Sequence, residues 1–113
     1  MVDKEELLKY LDEQSKKYTH EKVVKSFKNW NKILQYHFTD IDEYYTIKLV
    51  NGQPGPVVEG KIEEPDIEYI MSTDTFVALA RKEISGFKAY QQKKIKLKAT
   101  MPEMLKLQKL DKL

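Results

Sequence analysis

Residues 94–110 read Lys94-Ile95-Lys96-Leu97-Lys98-Ala99-Thr100-Met101-Pro102-Glu103-Met104-Leu105-Lys106-Leu107-Gln108-Lys109-Leu110. The hydrophobic period changes inside this stretch. Lys94, Lys96 and Lys98 alternate with Ile95, Leu97 and Ala99, the pattern of a strand with one wet face and one buried face. A strand is predicted over 93–99. From Met101 the period lengthens. At 100° per residue Met101, Met104, Leu105, Leu107 and Leu110 spread over roughly 220°, and Lys106, Lys109 and Lys112 take the remaining side. Pro102 suits a first helical turn, so a helix is predicted over 101–113. Its apolar arc is broader than a surface helix needs. Gln108 falls inside that arc, and a buried amide wants a partner: backbone, water or the polar group of a ligand.

Upstream, Ser72 and Thr73 are good caps for a helix whose inner face carries Phe76, Leu79 and Ala80. Ser85-Gly86 interrupts it and Phe87 to Gln92 can make another short turn, which places helices over 73–92. Before them the period is two. Leu34, Tyr36 and Phe38 share a face of one strand; Tyr45, Ile47 and Leu49 share a face of the next. Pro56 to Ile62 and Asp66 to Ser72 read as strands as well, four within 33–72. The turns between them are short and favour antiparallel neighbours. Helices are predicted over 3–17, with Asp3 as N-cap and Glu6 completing a capping-box pattern, and over 20–30, where Val23, Val24, Phe27 and Trp30 follow helical spacing. The order helix–helix–four strands–helix–strand–helix is an α+β class.

The chain has 113 residues, a length that fits one domain, 1–113. It has no Cys, which excludes disulfides, thiolate metal sites and a thiol nucleophile. No apolar run approaches the roughly 18 residues of a membrane span, and the polar, acidic start does not read as a signal peptide. The net charge of +2 hides a gradient: residues 1–80 hold 10 basic and 15 acidic groups, residues 81–113 hold 10 basic and 3 acidic. Such asymmetry marks either an anionic partner or a solvated face. Arg81 is the single arginine. Base-edge readout favours bidentate Arg, whereas Lys suits headgroups and phosphates.

Enzymatic constellations are missing from the pattern. His20 and His37 are the only histidines, and His37 falls on the strand face opposite Tyr36 and Phe38. Asp40, Asp42 and Glu43 sit in a turn between strands, where acidic residues are ordinary. Asn51-Gly52-Gln53-Pro54-Gly55 lacks the Gly-Lys-Ser/Thr ending of a phosphate loop. No catalytic residue and no metal site is predicted.

Lys88-Ala89-Tyr90-Gln91-Gln92-Lys93-Lys94-Ile95-Lys96-Leu97-Lys98-Ala99-Thr100-Met101 resembles the Ala-Phe-x-x-Gly-Lys-hydrophobic-Lys-hydrophobic-Lys-Gly-Asp-Met stretch of the sterol carrier protein-2 domain family. Leu105-Lys106-Leu107-Gln108-Lys109-Leu110 resembles its closing Leu-Lys-Leu-Gln-x-Leu. Gln35-Tyr36-His37-Phe38-Thr39-Asp40 is similar to its first strand and Asp74-Thr75-Phe76 to its next helix start. Lys93 and Ala99 depart from the family's glycines, and Tyr90 from its Phe. The resemblance implies a five-stranded, mostly antiparallel sheet covered by helices, and an apolar cavity partly roofed by the C-terminal helix. That cavity takes a sterol, fatty acid, acyl-CoA or phospholipid, with no cofactor and no catalysis. On this reading Phe76, Leu79, Phe87, Tyr90, Ile95, Leu97, Met101, Met104 and Leu105 project inward. Met101, Met104 and Leu105 form a movable roof, and Gln108 meets the polar end of the ligand. Lys106, Lys109 and Lys112 then touch an anionic membrane surface or an acyl-CoA phosphate.

A lipid-sized void of roughly 400 Å³ costs about 10 kcal/mol, against a domain stability of about 5–15 kcal/mol. It is therefore expected to contract or be filled. The rival expectation is a Lys-rich interaction or nucleic-acid-binding domain without a pocket, whose binding would weaken steeply with salt. A further one is a module that serves an enzyme. The expected location is the cytoplasm: Lys112-Leu113 ends like a peroxisomal signal, but Asp111 is acidic where a small residue is required.

Overall fold

The computed structural model describes residues 2–113. Helix α1 (Lys4–Lys16) is followed by two 3-10 turns, Lys17–Thr19 and Val24–Phe27. Then come β1 (Lys32–Phe38), β2 (Glu43–Val50), β3 (Gln53–Pro54), β4 (Val58–Glu59) and β5 (Ile67–Met71). Helices α2 (Thr73–Ala80) and α3 (Gly86–Gln91), strand β6 (Lys96–Lys98), helix α4 (Met101–Leu107) and a 3-10 segment (Gln108–Lys112) complete the chain. The class is α+β.

The sheet runs β3-β2-β1-β5-β6, with β4 also paired to β2. All pairings are antiparallel except β1–β5. Register sets one row across it: Tyr45 opposite Tyr36, Tyr36 beside Tyr69, Tyr69 opposite Leu97. This row and its period-two neighbours Leu34, Phe38, Ile47 and Ile67 make one face, which is buried in a single core under α1, α2 and the C-terminal residues Leu107 and Leu110.

The parallel pairing departs from the expectation that β5 lies antiparallel to the segment before it. Residues 60–66 cross instead to the far side of β1. Gln35, fully buried on the outer face, accepts a hydrogen bond from Ile62 N at 2.7 Å and donates to Glu68 at 2.6 Å. Asp66 accepts from Ile33 N at 2.7 Å. The crossover thus has its backbone groups satisfied by β1 rather than by a hairpin partner. The strand expected over 56–62 shrinks to Val58–Glu59, because Pro56 lacks a donor and Gly60 adopts φ 141°.

The predicted helix over 20–30 is only a 3-10 turn, although Val23 and Phe27 are buried as its spacing implied. Asn29, at φ 66°, turns the chain before a full helix can form. At α1, Asp3 occupies the N-cap but makes no side-chain cap bond. Glu6 does not close a capping box; it pairs with Arg81, which also donates to the Tyr10 hydroxyl at 3.2 Å. Ser72 does cap α2, accepting from Thr75 N at 3.2 Å.

The strand expected over 93–99 pairs only at Lys96–Lys98. Lys93 is spent ending α3 in the left-handed region, at φ 60°. That is the position where the resembled family carries Gly, and the backbone explains it. Lys93→Gly is expected to raise stability by about 0.5–1 kcal/mol, read as a higher urea midpoint. A lower midpoint would contradict this backbone geometry.

Two carboxylates are built into the frame. Asp40 accepts from Thr73 N at 2.9 Å and from the Thr73 hydroxyl. Glu103 accepts from Thr100 N at 2.8 Å in a full capping box and pairs with Lys32 at 2.8 Å. Burial opposes ionisation of each. The hydrogen bonds of Thr73 on Asp40, and of Lys32 and Thr100 on Glu103, outweigh it, so both carboxyls lie below their ordinary values. A depressed folded pKa adds stability that is complete above the unfolded value and is lost as pH falls through the folded one. Asp40 and Glu103 are therefore expected to lower the urea midpoint below about pH 4, against an opposite contribution from Asp111, whose carboxyl burial pushes up. Glu103→Gln should flatten part of that drop, whereas a midpoint that rises on acidification would contradict both assignments.

Candidate ligand-binding cavity

The inner face of β1 and β5 supplies the floor of a cavity of about 220 Å³: Tyr36, Tyr69 and Met71. Helix α2 contributes Phe76, Leu79 and Ala80 as one wall, with Ile84 beyond it. Ile95, Leu107 and Leu110 close the opposite side. Gln14 and Lys17, at the end of α1, stand with Lys82, Ser85 and Asp111 as the polar members.

A second, narrower groove of about 110 Å³ lies between α3 and α4. Phe87 and Tyr90 line one bank, Met104 and Gln108 the other, and Leu97 the bottom. Tyr69, Ile95, Leu107, Gly86 and Asp111 belong to both spaces, so the two meet at a common partition. Gly86 has no side chain there because Asp111 fills the place: a Cβ at Gly86 would lie 2.7 Å from its carboxylate oxygens. A wider trough of about 460 Å³ at Glu63, Glu64, Asp66, Lys98 and Glu103 is open and polar, unsuited to an apolar guest.

The electrostatics of the main cavity are mild. Burial pushes the Tyr36 hydroxyl up, and burial with the neighbouring tyrosines does the same at Tyr69. Both are neutral at pH 7 and offer hydroxyl hydrogen bonds rather than charge. Behind them the Tyr18 hydroxyl is buried with no hydrogen-bond partner among the described residues. Burial, then the Lys82 charge, lower the Lys17 ammonium, with Asp111 opposing.

The histidines are occupied elsewhere. His37 pairs with Asp42 at 3.0 Å and stacks on Tyr44 at 4.1 Å; His20 accepts from Lys22 N at 3.1 Å. Among the described residues no group of three or more His, Asp or Glu side chains could hold a metal ion. The acidic turn serves the fold: Asp40 holds Thr73, Asp42 holds His37, and Glu43 accepts from the Tyr45 hydroxyl at 2.6 Å.

Of the residues singled out from sequence, Phe76, Leu79 and Ile95 line the main cavity. Phe87, Tyr90, Leu97, Met104 and Gln108 line the groove, with Ile95 shared. Met101 and Leu105 line neither and do not project inward; they are 67% and 58% exposed. The broad arc is divided. Leu107 and Leu110 face in, beside Glu103, which is drawn inward by Lys32 and by its own capping box. The expected helix over 101–113 also ends at Leu107 and continues as 3-10, whose tighter turn shifts the phase of the later residues. Gln108 is exposed at the groove rather than buried in an arc. Tyr36, Tyr69, Met71 and Ile84 escaped the sequence reading, because strand alternation marks a buried face without telling core from cavity floor. The Thr100-x-x-Glu103 capping box was a readable signal for the start of α4.

The model of the SCP-2 sterol transfer family matches residues 8–112. Comparison with curated proteins gives no match. Among solved structures, the sterol carrier protein domain 2 of Helicoverpa armigera is 22% identical with a TM-score of 0.70, covering 92% of this chain and 84% of that one. Palmitated SCP2L2 from Aedes aegypti is 17% identical with a TM-score of 0.57, covering 81% and 93%. The inverting sec-alkylsulfatase Pisa1 from Pseudomonas sp. is 19% identical with a TM-score of 0.62 over 79% of this chain, which spans 14% of that enzyme's length.

Proposed function

The chain belongs to the SCP-2 sterol transfer family, and from that premise we propose that it is a non-enzymatic lipid carrier, taking one apolar tail into the cavity between sheet and helices. The observation that carries this is the 220 Å³ space floored by Tyr36 and Tyr69 and walled by Phe76, Leu79, Ile95 and Leu107. Such a space is mostly apolar with a few placed polar groups, as small-molecule sites are. Each methylene withdrawn from water contributes about 0.8 kcal/mol, so a tail of modest length offsets the cost of opening the site. The cavity and the groove are each smaller than the roughly 400 Å³ of a long-chain site. A long tail therefore runs through both, displacing the Asp111–Gly86 partition and moving α4 outward.

A fatty acyl tail, free or as acyl-CoA, is favoured over a sterol or phospholipid. The space is divided in two rather than being one chamber, and a solved structure of this fold is that of a palmitated SCP2L2. The polar end meets Gln108 at the groove or Gln14 and Lys17 at the main mouth. Lys106, Lys109 and Lys112 meet anionic headgroups. Lys106 lies 5.5 Å over the half-buried Trp30 ring and Lys109 donates to Ser26 at 3.1 Å. No helix of the described residues is long and apolar enough to cross a membrane; a cytoplasmic location is part of the proposal.

Native mass spectrometry of delipidated protein, titrated with a fatty acid and its CoA thioester, tests the proposal. One saturable equivalent at micromolar concentration is expected, with little dependence on salt. Binding that is unsaturable, or nucleic-acid binding that falls steeply with salt, would overturn it.

A further inference from the structure

Among the described residues seven large hydrophobic side chains are exposed, and four of them sit on α3 and α4: Phe87 (58%), Tyr90 (49%), Met101 (67%) and Leu105 (58%). Phe87 and Tyr90 line one bank of the groove, and Met104 lines the other. Met101 and Leu105 are four residues apart, so they share the outer side of α4 next to Met104 and Gln108. The exposed apolar residues thus form one border around the groove's opening.

The charge around that border is predominantly positive. Residues 81–113 carry 10 basic groups and 3 acidic ones. Of the acids, Glu103 is turned inward onto Lys32, Asp111 stands in the wall between groove and cavity, and Glu83 is exposed in the turn before α3. Lys88 lies on α3, Lys106 on α4, Lys109 one turn on and Lys94 on the adjoining segment, whereas Lys96 and Lys98 face the other side of the sheet, where Lys98 pairs with Glu68. Apolar and aromatic side chains ringed by lysine match a bilayer interface with anionic headgroups. An acidic protein surface would satisfy the lysines but leave Met101 and Leu105 with no apolar partner.

We propose that the α3–α4 border, with Phe87, Tyr90, Met101 and Leu105 inserted and the surrounding lysines on headgroups, docks the protein on anionic bilayers so that the groove opens directly into the lipid. This rests on the carrier reading above and adds the face and the residues through which the tail is exchanged.

The test is co-sedimentation with vesicles of phosphatidylcholine alone and with about 30 mol% phosphatidylglycerol. It uses the wild-type chain, the double variant Met101→Ser/Leu105→Ser, and Val50→Ser/Val58→Ser, which changes exposed apolar residues at the far edge of the sheet. Soluble fatty-acid binding is measured alongside. Wild type and the sheet-edge variant are expected on anionic vesicles but not on neutral ones. The Met101/Leu105 variant is expected to bind them roughly tenfold more weakly while taking up fatty acid as before. Equal vesicle binding by both double variants, or no preference for anionic vesicles, would overturn docking through this face. Absence of fatty-acid binding by the wild type, with vesicle binding intact, would overturn the carrier reading and leave the docking result standing.

Discussion

Gly52→Ala is expected to destabilise the protein by about 3 kcal/mol, the largest loss from a single added methyl group in this chain. Asn51 and Gly52 both have positive φ, 52° and 77°, the backbone of a tight hairpin turn in which glycine is the natural second residue. A Cβ on Gly52 would lie 2.3 Å from the carbonyl oxygen of Phe27 and 2.9 Å from its carbonyl carbon. Backbone cannot rotate away as a side chain can. Phe27 is fully buried, edge-on to Tyr18 at 4.9 Å and tilted against Trp30 at 5.2 Å. Gly52 N also donates to Trp30 O at 2.9 Å. Moving the turn therefore moves the aromatic cluster that closes the core beneath α1. The comparison is Gly55→Ala, where the nearest atom to the new Cβ is Lys48 O at 3.5 Å and a change within about 0.5 kcal/mol is expected. Urea unfolding followed through Trp30 reads both. Equal midpoints for the two variants would show that the turn is not packed as described.

Ala80→Phe is expected to reduce fatty-acid binding at least tenfold while leaving the melting temperature unchanged or slightly raised. Ala80 ends α2 and lines the main cavity without belonging to the fully buried core. A phenyl ring there has space to enter, and it competes with the ligand for that space. Filling an apolar cavity recovers contacts that an empty lining lacks, so a binding loss without a stability loss separates occupation of the cavity from damage to the fold. Wild-type affinity in a folded Ala80→Phe variant would place the tail elsewhere.

Strand alternation carried most of the fold into view. Leu34, Tyr36, Phe38, Tyr45, Ile47 and Leu49 are buried as their period requires, and Ser72 caps α2 as its residue type suggests. The β1–β5 parallel pairing was not legible. It depends on Gln35 and Asp66 capturing the crossover, two long-range hydrogen bonds with no local signature. The site was half legible. Phe76, Leu79, Ile95 and the groove residues come together because they follow the two periods. A single apolar arc through one continuous helix over 101–113 would turn Met101 and Leu105 inward. The inward side of α4 is taken by Glu103, pulled in by Lys32 and its capping box, and by Leu107, which leaves Met101 and Leu105 on the side facing solvent. The difference is informative, because a helix with two apolar sides has a second surface to cover.

The most direct test of the central claim is a methyl-resolved NMR titration of delipidated protein with a fatty acid. A ligand held as described shifts the methyl signals of Leu79, Ile84, Ile95, Leu107 and Leu110 and saturates at one equivalent, while Val50 and Val58 at the sheet edge stay still. Shifts confined to Met101 and Leu105, or shifts that grow without saturation, would mean that lipid only coats the surface and that the cavity is not its site.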